Sequence, residues 1–397
     1  MVKIAIMGYG TVGSGVYDII KADNFAYEAM NPIEIKYILD IRDFPDHKEK
    51  EIFTKDFNVI LNDDEIYCVV EAMGGLNPAY EFTKSLLLAG KNVVTSNKEL
   101  VATHGPELLR IAKDKNVNYL FEASVGGGIP IIKPLCSSLK ANKIKKIAGI
   151  LNGTTNFILT EMVEEGKSFS DALKMAQVNG YAERNPAADI EGHDACRKIA
   201  ILASLAWGEY IDYKDIPTDG ITNITLEDVD AASKLGYSVK LIGYADKRDG
   251  LFIWVSPMLV RKSCPLSGVN GVFNAILVDG NYLGTSMFYG QGAGKFATAS
   301  AMVADVIESV RHINAKKAYI EWQVTEKSSV LPVSESENRY FVRTKEKQDR
   351  IEELFGKVSV SSINSENVFV TDVMKEKDFE DKAKTLGVIS KIRVLDA

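Results

Sequence analysis

Cysteine is scarce. Four residues in 397, Cys68, Cys136, Cys196 and Cys264, stand far apart with no CxxC pair. That spacing argues against a thiolate zinc site or a disulfide framework and fits a reduced, cytoplasmic protein. Histidine is equally sparse: His47, His104, His193 and His312 form no HxH or HxxxH pair, so a catalytic transition-metal site is not expected. Long hydrophobic runs are missing. No stretch of 18 or more apolar residues occurs, which predicts no transmembrane helix. The opening MVKIAIMGYG has too short an apolar run for a signal peptide. Excess positive charge is absent as well: 47 Lys and Arg against 54 Asp and Glu leave a net charge of −7. A general nucleic-acid or anionic-membrane partner would need the opposite balance.

What is present is an ordinary globular composition, 46% apolar and 25% charged, and a length that suggests two or three domains. Val2 to Met7 is a short apolar run, hence a buried parallel strand. Gly8-Tyr9-Gly10-Thr11-Val12-Gly13 follows, then a helical stretch from Ser14 to Lys21 and a strand from Ile33 to Leu39. Further strands are expected at Ile66–Glu71, Asn92–Thr95 and Asn118–Glu122, with helices at Ala79–Ala89 and Pro106–Lys115. This alternation predicts an α/β, Rossmann-type doubly wound parallel sheet. Beyond residue 125 helices such as Phe169–Asn179 and Asp194–Gly208 mix with strands such as Ile144–Leu151 and Leu251–Val255, the texture of an α+β domain. A helix at Thr298–His312 is expected to pack back on the first domain. The last sixty residues read βαββαβ, the ferredoxin-like order. The expected domains are therefore 1–125, completed by 290–325, then 126–289, then 339–397.

Three segments carry candidate chemistry. Gly8, Gly10 and Gly13 directly follow a strand and open a helix, as a dinucleotide fingerprint requires. Gly8 allows the turn, Gly10 lets a pyrophosphate approach the backbone, and Gly13 permits close helix–strand packing. The helix N-terminus offers free amides at Thr11, Val12 and Gly13 to the phosphates. At the end of the second strand Asp40 suits a ribose 2′-hydroxyl and Arg42 suits a 2′-phosphate, so NAD and NADP both remain open. Thr95-Ser96-Asn97-Lys98 lies at the carboxyl end of a strand, the edge where ligands of open α/β sheets bind, though position alone also fits a surface lysine. In the third segment Asp194 and Lys198 are four apart on one helical face. Most such pairs are solvent-exposed. Here Glu183 and Asp189 add two more carboxylates nearby, a cluster that suits an amino-acid ligand.

The stretch Ala176–Lys198 matches the signature of the homoserine dehydrogenases at every defined position, and the chain resembles that family over about residues 2 to 325. Ser96-Asn97-Lys98, Glu122–Pro130, Leu151-Asn152-Gly153-Thr154 and Tyr289–Gly294 support the resemblance. It implies interconversion of L-homoserine and L-aspartate 4-semialdehyde with NADP or NAD, on the branch to threonine and methionine. Lys198 resembles the family's acid/base lysine, with Lys98 a second lysine over the substrate. Glu183 and Asp194 resemble substrate-binding carboxylates supported by Asp189, and Thr154 a position lining the pocket. Gly74, Ser96, Lys98, Gly180, Glu183 and Gly294 join the cofactor set. Glu122, Val125, Gly127 and Ile129 match a site where mainly backbone carbonyls hold a monovalent cation, usually Na+. The final sixty residues resemble the ACT regulatory domain, a possible site for an amino-acid effector, although they lack its usual Asp-x-Pro-Gly turn. Ala297 stands where relatives usually have Pro. No kinase segment precedes the first strand, so the resemblance is to the monofunctional type, expected as a homodimer or homotetramer. Two rivals stand beside this reading. An aspartate semialdehyde dehydrogenase-like enzyme would need an activated cysteine. An amino-acid-sensing protein would have a vestigial nucleotide domain.

Overall fold

A computed structural model describes residues 1–22, 32–247, 250–363 and 365–396. The apolar run Val2–Met7 forms β1, and the glycine turn leads into α1 (Thr11–Lys21). Then come β2 (Ile33–Leu39), β3 (Phe53–Thr54), α2 (Phe57–Leu61), β4 (Ile66–Glu71), α3 (Ala79–Leu88), β5 (Asn92–Thr95), α4 (Lys98–Asp114), β6 (Tyr119–Leu120) and α5 (Ala123–Gly126). The strands form a sheet in the order β3-β2-β1-β4-β5-β6, every ladder parallel. Strands β1, β4 and β5 are buried on both faces and so read as near-continuous apolar runs, whereas the half-buried β2 carries Glu34 and Lys36 between its apolar residues. The order reverses between β1 and β4, the point at which a crevice opens beyond the strand ends.

Two expectations about this region change. The strand at Asn118–Glu122 shrinks to β6, because Glu122 already has helical backbone angles and starts a turn. The helix placed at Pro106 begins eight residues earlier, at Lys98, with Pro106 inside it. Proline removes one amide donor and so orphans the carbonyl four residues back. That carbonyl, of Ala102, accepts a hydrogen bond from the Tyr210 hydroxyl at 2.9 Å. The tyrosine thus replaces the lost donor, and the helix continues.

The chain goes on through β7 (Ile144–Ile150), α6 (Gly153–Glu165), α7 (Phe169–Val178), α8 (Ala187–Ile190), α9 (His193–Trp207), α10 (Leu226–Lys234), β8 (Tyr237–Asp246), β9 (Phe252–Arg261), β10 (Phe273–Gly280), β11 (Gly284–Gln291) and α11 (Lys295–Arg311). It finishes with β12 (Glu337–Thr344), α12 (Gln348–Phe355), β13 (Ser361–Ile363), β14 (Glu366–Val370), β15 (Met374–Lys375), α13 (Glu376–Leu386) and β16 (Ser390–Leu395). Helix α11 packs on α1, where a Cβ on Gly15 would lie 2.9 Å from both the Ala299 Cβ and the Lys295 carbonyl. Strand β9 runs well past the expected end at Val255, through Pro257. The Val255 amide donates to the Pro217 carbonyl, away from β8. Pro257, two residues on, faces the same way, so its missing N–H takes nothing from the β8 ladder.

The contacts divide the chain into two units. One comprises Met1–Asn142, Ala200–Tyr213 and Gly290–Glu326, and the other Lys143–Ile199, Lys214–Tyr289 and Lys327–Ala397. The second unit holds a mixed sheet in the order β11-β10-β7-β8-β9-β16-β12-β14-β13. Its terminal part has the six elements expected, with a further two-residue strand, β15, inserted before α13 and paired with β12, and Phe379 stacks on Tyr340 at 3.8 Å in its core. That part is not a free-standing sheet. Strand β16 pairs in parallel with β9, Arg393 opposite Met258, and Leu395 is buried in the cluster formed by β7, β8 and β9.

The substitution of the Pro106 donor has a measurable cost. Tyr210→Phe leaves a buried acceptor unmet and should lower unfolding stability by about 1–3 kcal/mol in urea titration. An unchanged midpoint and slope would mean that water takes the tyrosine's place.

Candidate active site

In the first unit the expected cofactor residues gather at the carboxyl edge of the parallel sheet. Gly8 has φ +92, and a Cβ on it would press to 2.8 Å from the Ala72 carbonyl. A Cβ on Gly13 would fall 1.9 Å from the Gly8 carbonyl oxygen. At Gly10, by contrast, a Cβ would meet nothing within 4 Å. Two glycines are therefore required by the fold itself, and the middle one faces open space. Gly10 is the N-cap of α1 and no side chain caps the helix, so the amides of Thr11, Val12 and Gly13 keep the donor capacity that a phosphate would take. These residues fit a dinucleotide.

The neighbouring strand ends are locked together. The Thr95 hydroxyl donates to Glu71 Oε2 at 2.5 Å, and Glu71 Oε1 accepts from the amides of Met73 at 2.8 Å and Gly74 at 3.4 Å. Burial pushes the Glu71 carboxyl up. Asn97 caps α4 through the Leu100 amide and reaches the Gly75 carbonyl at 2.6 Å. Ser96 and Lys98, both half-buried, and Gly74, with φ +77, are thereby fixed along one edge. Gly294 precedes α11 with φ +119 and is exposed.

Asp40 and Arg42, which sequence left as alternatives, bind each other. The Arg42 guanidinium donates from Nε to Oδ1 at 2.9 Å and from Nη2 to Oδ2 at 2.8 Å. The Tyr9 amide donates to Oδ2 at 2.7 Å. The Arg42 side chain first, then the backbone amides of Arg42 and Tyr9, hold the Asp40 carboxyl well below the usual carboxylate range. A cavity of about 390 Å3 beside them is lined by Phe44, Phe53, Thr54, Lys50 and Lys55.

The Glu122–Ile129 loop is anchored from within. Both carboxylate oxygens of Glu122 are committed, accepting from the amides of Ile131 at 2.6 Å, Ile132 at 2.8 Å and Lys133 at 2.7 Å. The Glu122 amide donates to Asp305 Oδ2 at 2.9 Å, and burial pushes that carboxyl up to about 8. Gly127, with φ +57, lets the loop pass tightly against Gly292. Val125 and Ile129 are buried. A cation here would have to rest on main-chain carbonyls. Among the described residues no group of three His, Cys, Asp or Glu side chains is placed to hold a metal.

In the second unit the Asp194–Lys198 pair is a buried one. Asp194 is 4% and Lys198 7% exposed. The ammonium donates to Asp194 Oδ2 at 2.9 Å and to the Leu151 carbonyl at 2.7 Å. Asn152, at the N-terminus of α6, donates from Nδ2 to Asp189 Oδ1 at 2.7 Å and to Asp194 Oδ2 at 2.9 Å. The Thr154 hydroxyl, also buried, donates to the Tyr181 carbonyl at 2.6 Å. Asp189, Asp194 and Lys198 thus come together, with Thr154 two residues beyond the amide that joins them. Glu183 is exposed, with its carbonyl bonded to Gln177. Gly180, with φ +74, closes α7: its amide bonds the Gln177 carbonyl and the Tyr181 amide bonds that of Ala176. Sequence reasoning gave Asn152, Glu71 and Asp305 no role.

Burial raises the Cys68 thiol to about 12 and the Cys136 thiol to about 11, the reverse of what a thiolate nucleophile needs. No helix among the described residues is long and apolar enough to cross a membrane.

A parallel sheet in this order, with its glycine turn opening the helix beside the switch point, defines a dinucleotide-binding α/β protein. Residues 8–122 match the family described as homoserine dehydrogenase, NAD binding domain, and residues 130–307 match homoserine dehydrogenase itself. The homoserine dehydrogenase of Synechocystis sp. is 44% identical over 318 residues, 78% of this chain and 73% of that one. The Helicobacter pylori enzyme is 38% identical over 388 residues, covering 97% and 90%. The crystal structure of a homoserine dehydrogenase from Thiobacillus denitrificans superposes with a TM-score of 0.90 at 34% identity, covering 100% of this chain and 98% of that one. A hyperthermophilic archaeal homoserine dehydrogenase in complex with NADPH gives 0.68 at 29% identity, covering 81% and 99%. The chain belongs to the homoserine dehydrogenase family and is an oxidoreductase.

The three fingerprint glycines separate by experiment. Gly10→Ala should fold with its melting temperature nearly unchanged, yet lose dinucleotide binding in a fluorescence titration. Gly13→Ala should be destabilised by several kcal/mol, because its Cβ cannot coexist with the Gly8 carbonyl. Equal melting temperatures in the two variants would contradict this division.

Proposed function

We propose that the chain catalyses the reversible, NAD(P)-dependent interconversion of L-homoserine and L-aspartate 4-semialdehyde, with Lys198 as the proton carrier. The observation that carries this reading is a lysine ammonium buried between a carboxylate and a carbonyl inside the family's signature segment. The bound nicotinamide supplies hydride to the aldehyde carbon or accepts it from the alcohol. In reduction the substrate oxygen gains negative charge, and the Lys198 ammonium stabilises it and donates a proton. In oxidation the neutral amine takes the hydroxyl proton. Asp194 orients the lysine, and Lys98 is the second lysine over the substrate. The carboxylates of Glu183, Asp189 and Asp194 suit the substrate ammonium. Thr154 suits it too, since a hydroxyl that donates to a carbonyl keeps lone pairs to accept with.

Gly8, Gly10, Thr11, Val12 and Gly13 are assigned to the pyrophosphate, and Gly74, Ser96, Lys98, Gly180, Glu183 and Gly294 to the rest of the cofactor. The guanidinium of Arg42, with Lys50 and Lys55 about the same cavity, favours NADP over NAD. The main-chain carbonyls of Glu122, Val125, Gly127 and Ile129 are proposed to hold Na+; the anchored carboxylate and buried loop support this. Residues 1–125 with 290–325 serve the dinucleotide, 126–289 the substrate and dimerisation, and 339–397 form an ACT-like module for an amino-acid effector. The exposed apolar side chains Met287 and Tyr289 on edge strand β11, with Leu283 just before it, favour a homodimer or homotetramer. A cytoplasmic role in threonine and methionine synthesis completes the reading.

Lys198→Ala should lower kcat by about 10²–10⁴-fold with cofactor affinity retained. Glu183→Ala should chiefly raise the homoserine KM, since its carboxylate holds the ammonium in ground and transition states alike. Steady-state kinetics decide, and near-normal turnover by Lys198→Ala would sink the assignment. Arg42 is exposed and screened, so Arg42→Ala should raise the NADP KM by only about tenfold and leave that for NAD nearly unchanged. Equal effects on both cofactors would remove Arg42 from the 2′-phosphate.

A further inference from the structure

We infer that Asn152 is a positioning residue for the proton-carrying lysine, acting through the two aspartates that its side-chain amide holds apart. The inference rests on the reading of Lys198 given above. Every polar atom of this side chain is used, and the direction of use is fixed. Its oxygen accepts from the Thr155 amide at 2.9 Å and the Thr155 hydroxyl at 3.1 Å, which caps α6. A helix N-terminus offers only donors, so the oxygen must face it and the NH2 must face away. The two N–H groups then go to Asp189 Oδ1 and Asp194 Oδ2. The second of these oxygens is the one that receives the Lys198 ammonium. The preceding residue, Leu151, supplies the lysine's carbonyl acceptor. Residues 151 and 152 therefore supply one partner of the ammonium and hold another.

The electrostatics say what this does. Two carboxylates and one ammonium share a site in which Asn152 is 6% exposed. The charges facing Lys198 include Asp194, from its own helix, with Asp189 of α8 joined to it through the shared amide, and the end of β7 presents a carbonyl. Each N–H withdraws part of a carboxylate's charge. Without them Asp194 would attract the ammonium more strongly, and the lysine would give up its proton less readily. It would also be free to turn toward water or away from Asp189. Asn152 thus keeps Lys198 anchored without binding its proton too tightly for transfer.

The test separates the amide from the cap. Asn152→Asp keeps an N-cap of equal quality and nearly the same shape, but replaces the NH2 by an acceptor facing two carboxylates. The variant is expected to fold, to lose about tenfold or more in kcat for homoserine oxidation at neutral pH, and to shift the acidic limb of its pH–kcat profile upward by about one unit. Asn152→Ser keeps a capping oxygen and adds no charge. It should shift the limb the same way by less, and it reads the effect should the aspartate variant lose its fold. A limb that stays in place in the folded variant or variants would make Asn152 a helix cap alone and overturn the inference. Lys198→Ala is measured alongside. If it keeps both turnover and limb, the assignment of Lys198 fails. If it loses them while Asn152→Asp and Asn152→Ser do not move the limb, only the role of Asn152 fails.

Discussion

A lysine ammonium can be buried only where oxygens are ready to meet it. In the second unit that requirement organises the elements around Lys198. The end of β7 presents the Leu151 carbonyl, the first turn of α9 presents Asp194, and the start of α6 presents the amide that steadies Asp194. Two of these groups meet the lysine nitrogen directly and the third acts through Asp194, so three elements must end close together. Each does so at a terminus, where backbone groups lack helical or ladder partners of their own. A site assembled from element ends needs rigid elements behind it. These are the buried strands β7 and β8 and the apolar face of α9, on which Ala195, Ile199 and Leu202 are fully buried or nearly so.

The first unit meets a different demand, that of receiving negative charge without supplying much positive charge. Its answer is backbone. Gly13 brings α1 against the Gly8 carbonyl, Gly8 turns beneath Ala72, and Gly10 leaves the approach to the first amides open. The buried Glu71 carboxylate ties the ends of β4 and β5 through Thr95 and the amides after β4. The Glu122 carboxylate does the same for the turn after its own loop, accepting three amides. In both cases a buried acid is satisfied by neutral donors rather than by a cation. That leaves the local charge balance to be set by whatever binds.

Much of this was legible in the sequence, and the parts that were not have physical causes. Val2–Met7, Ile66–Glu71 and Asn92–Thr95 were legible as short, mostly apolar runs, because a strand buried on both faces has little other composition open to it; Ile33–Leu39 was legible too, although it is half-buried and keeps Glu34 and Lys36. The family signature pointed to Asp189, Asp194 and Lys198, and the structure brings these three together. The start of α4 was missed because Pro106 reads as a helix beginning; the donor that lets it sit inside comes from Tyr210, far along the chain. Asn97 as a cap was available to local reading, and so was half of Asn152. Its other half was not, since the partners of its NH2 lie 37 and 42 residues away. Arg42 and Asp40 were recognised as types, yet only the fold shows that they hold each other.

The parallel pairing of β16 with β9 bears on the order of folding. Met258 and Arg393 are distant in sequence, so pairing them closes a loop that contains everything from β10 to α13. Closing so large a loop is slow, because the entropy is lost before the ladder bonds form. Until then β9 is an edge strand, largely apolar and flanked by the core that Leu395 will complete. An unpaired apolar edge is a template for the wrong partner. Pro257, which cannot donate on that open side, blunts it during the wait: a proline inside the strand makes the unfinished sheet a poorer match for a stray chain.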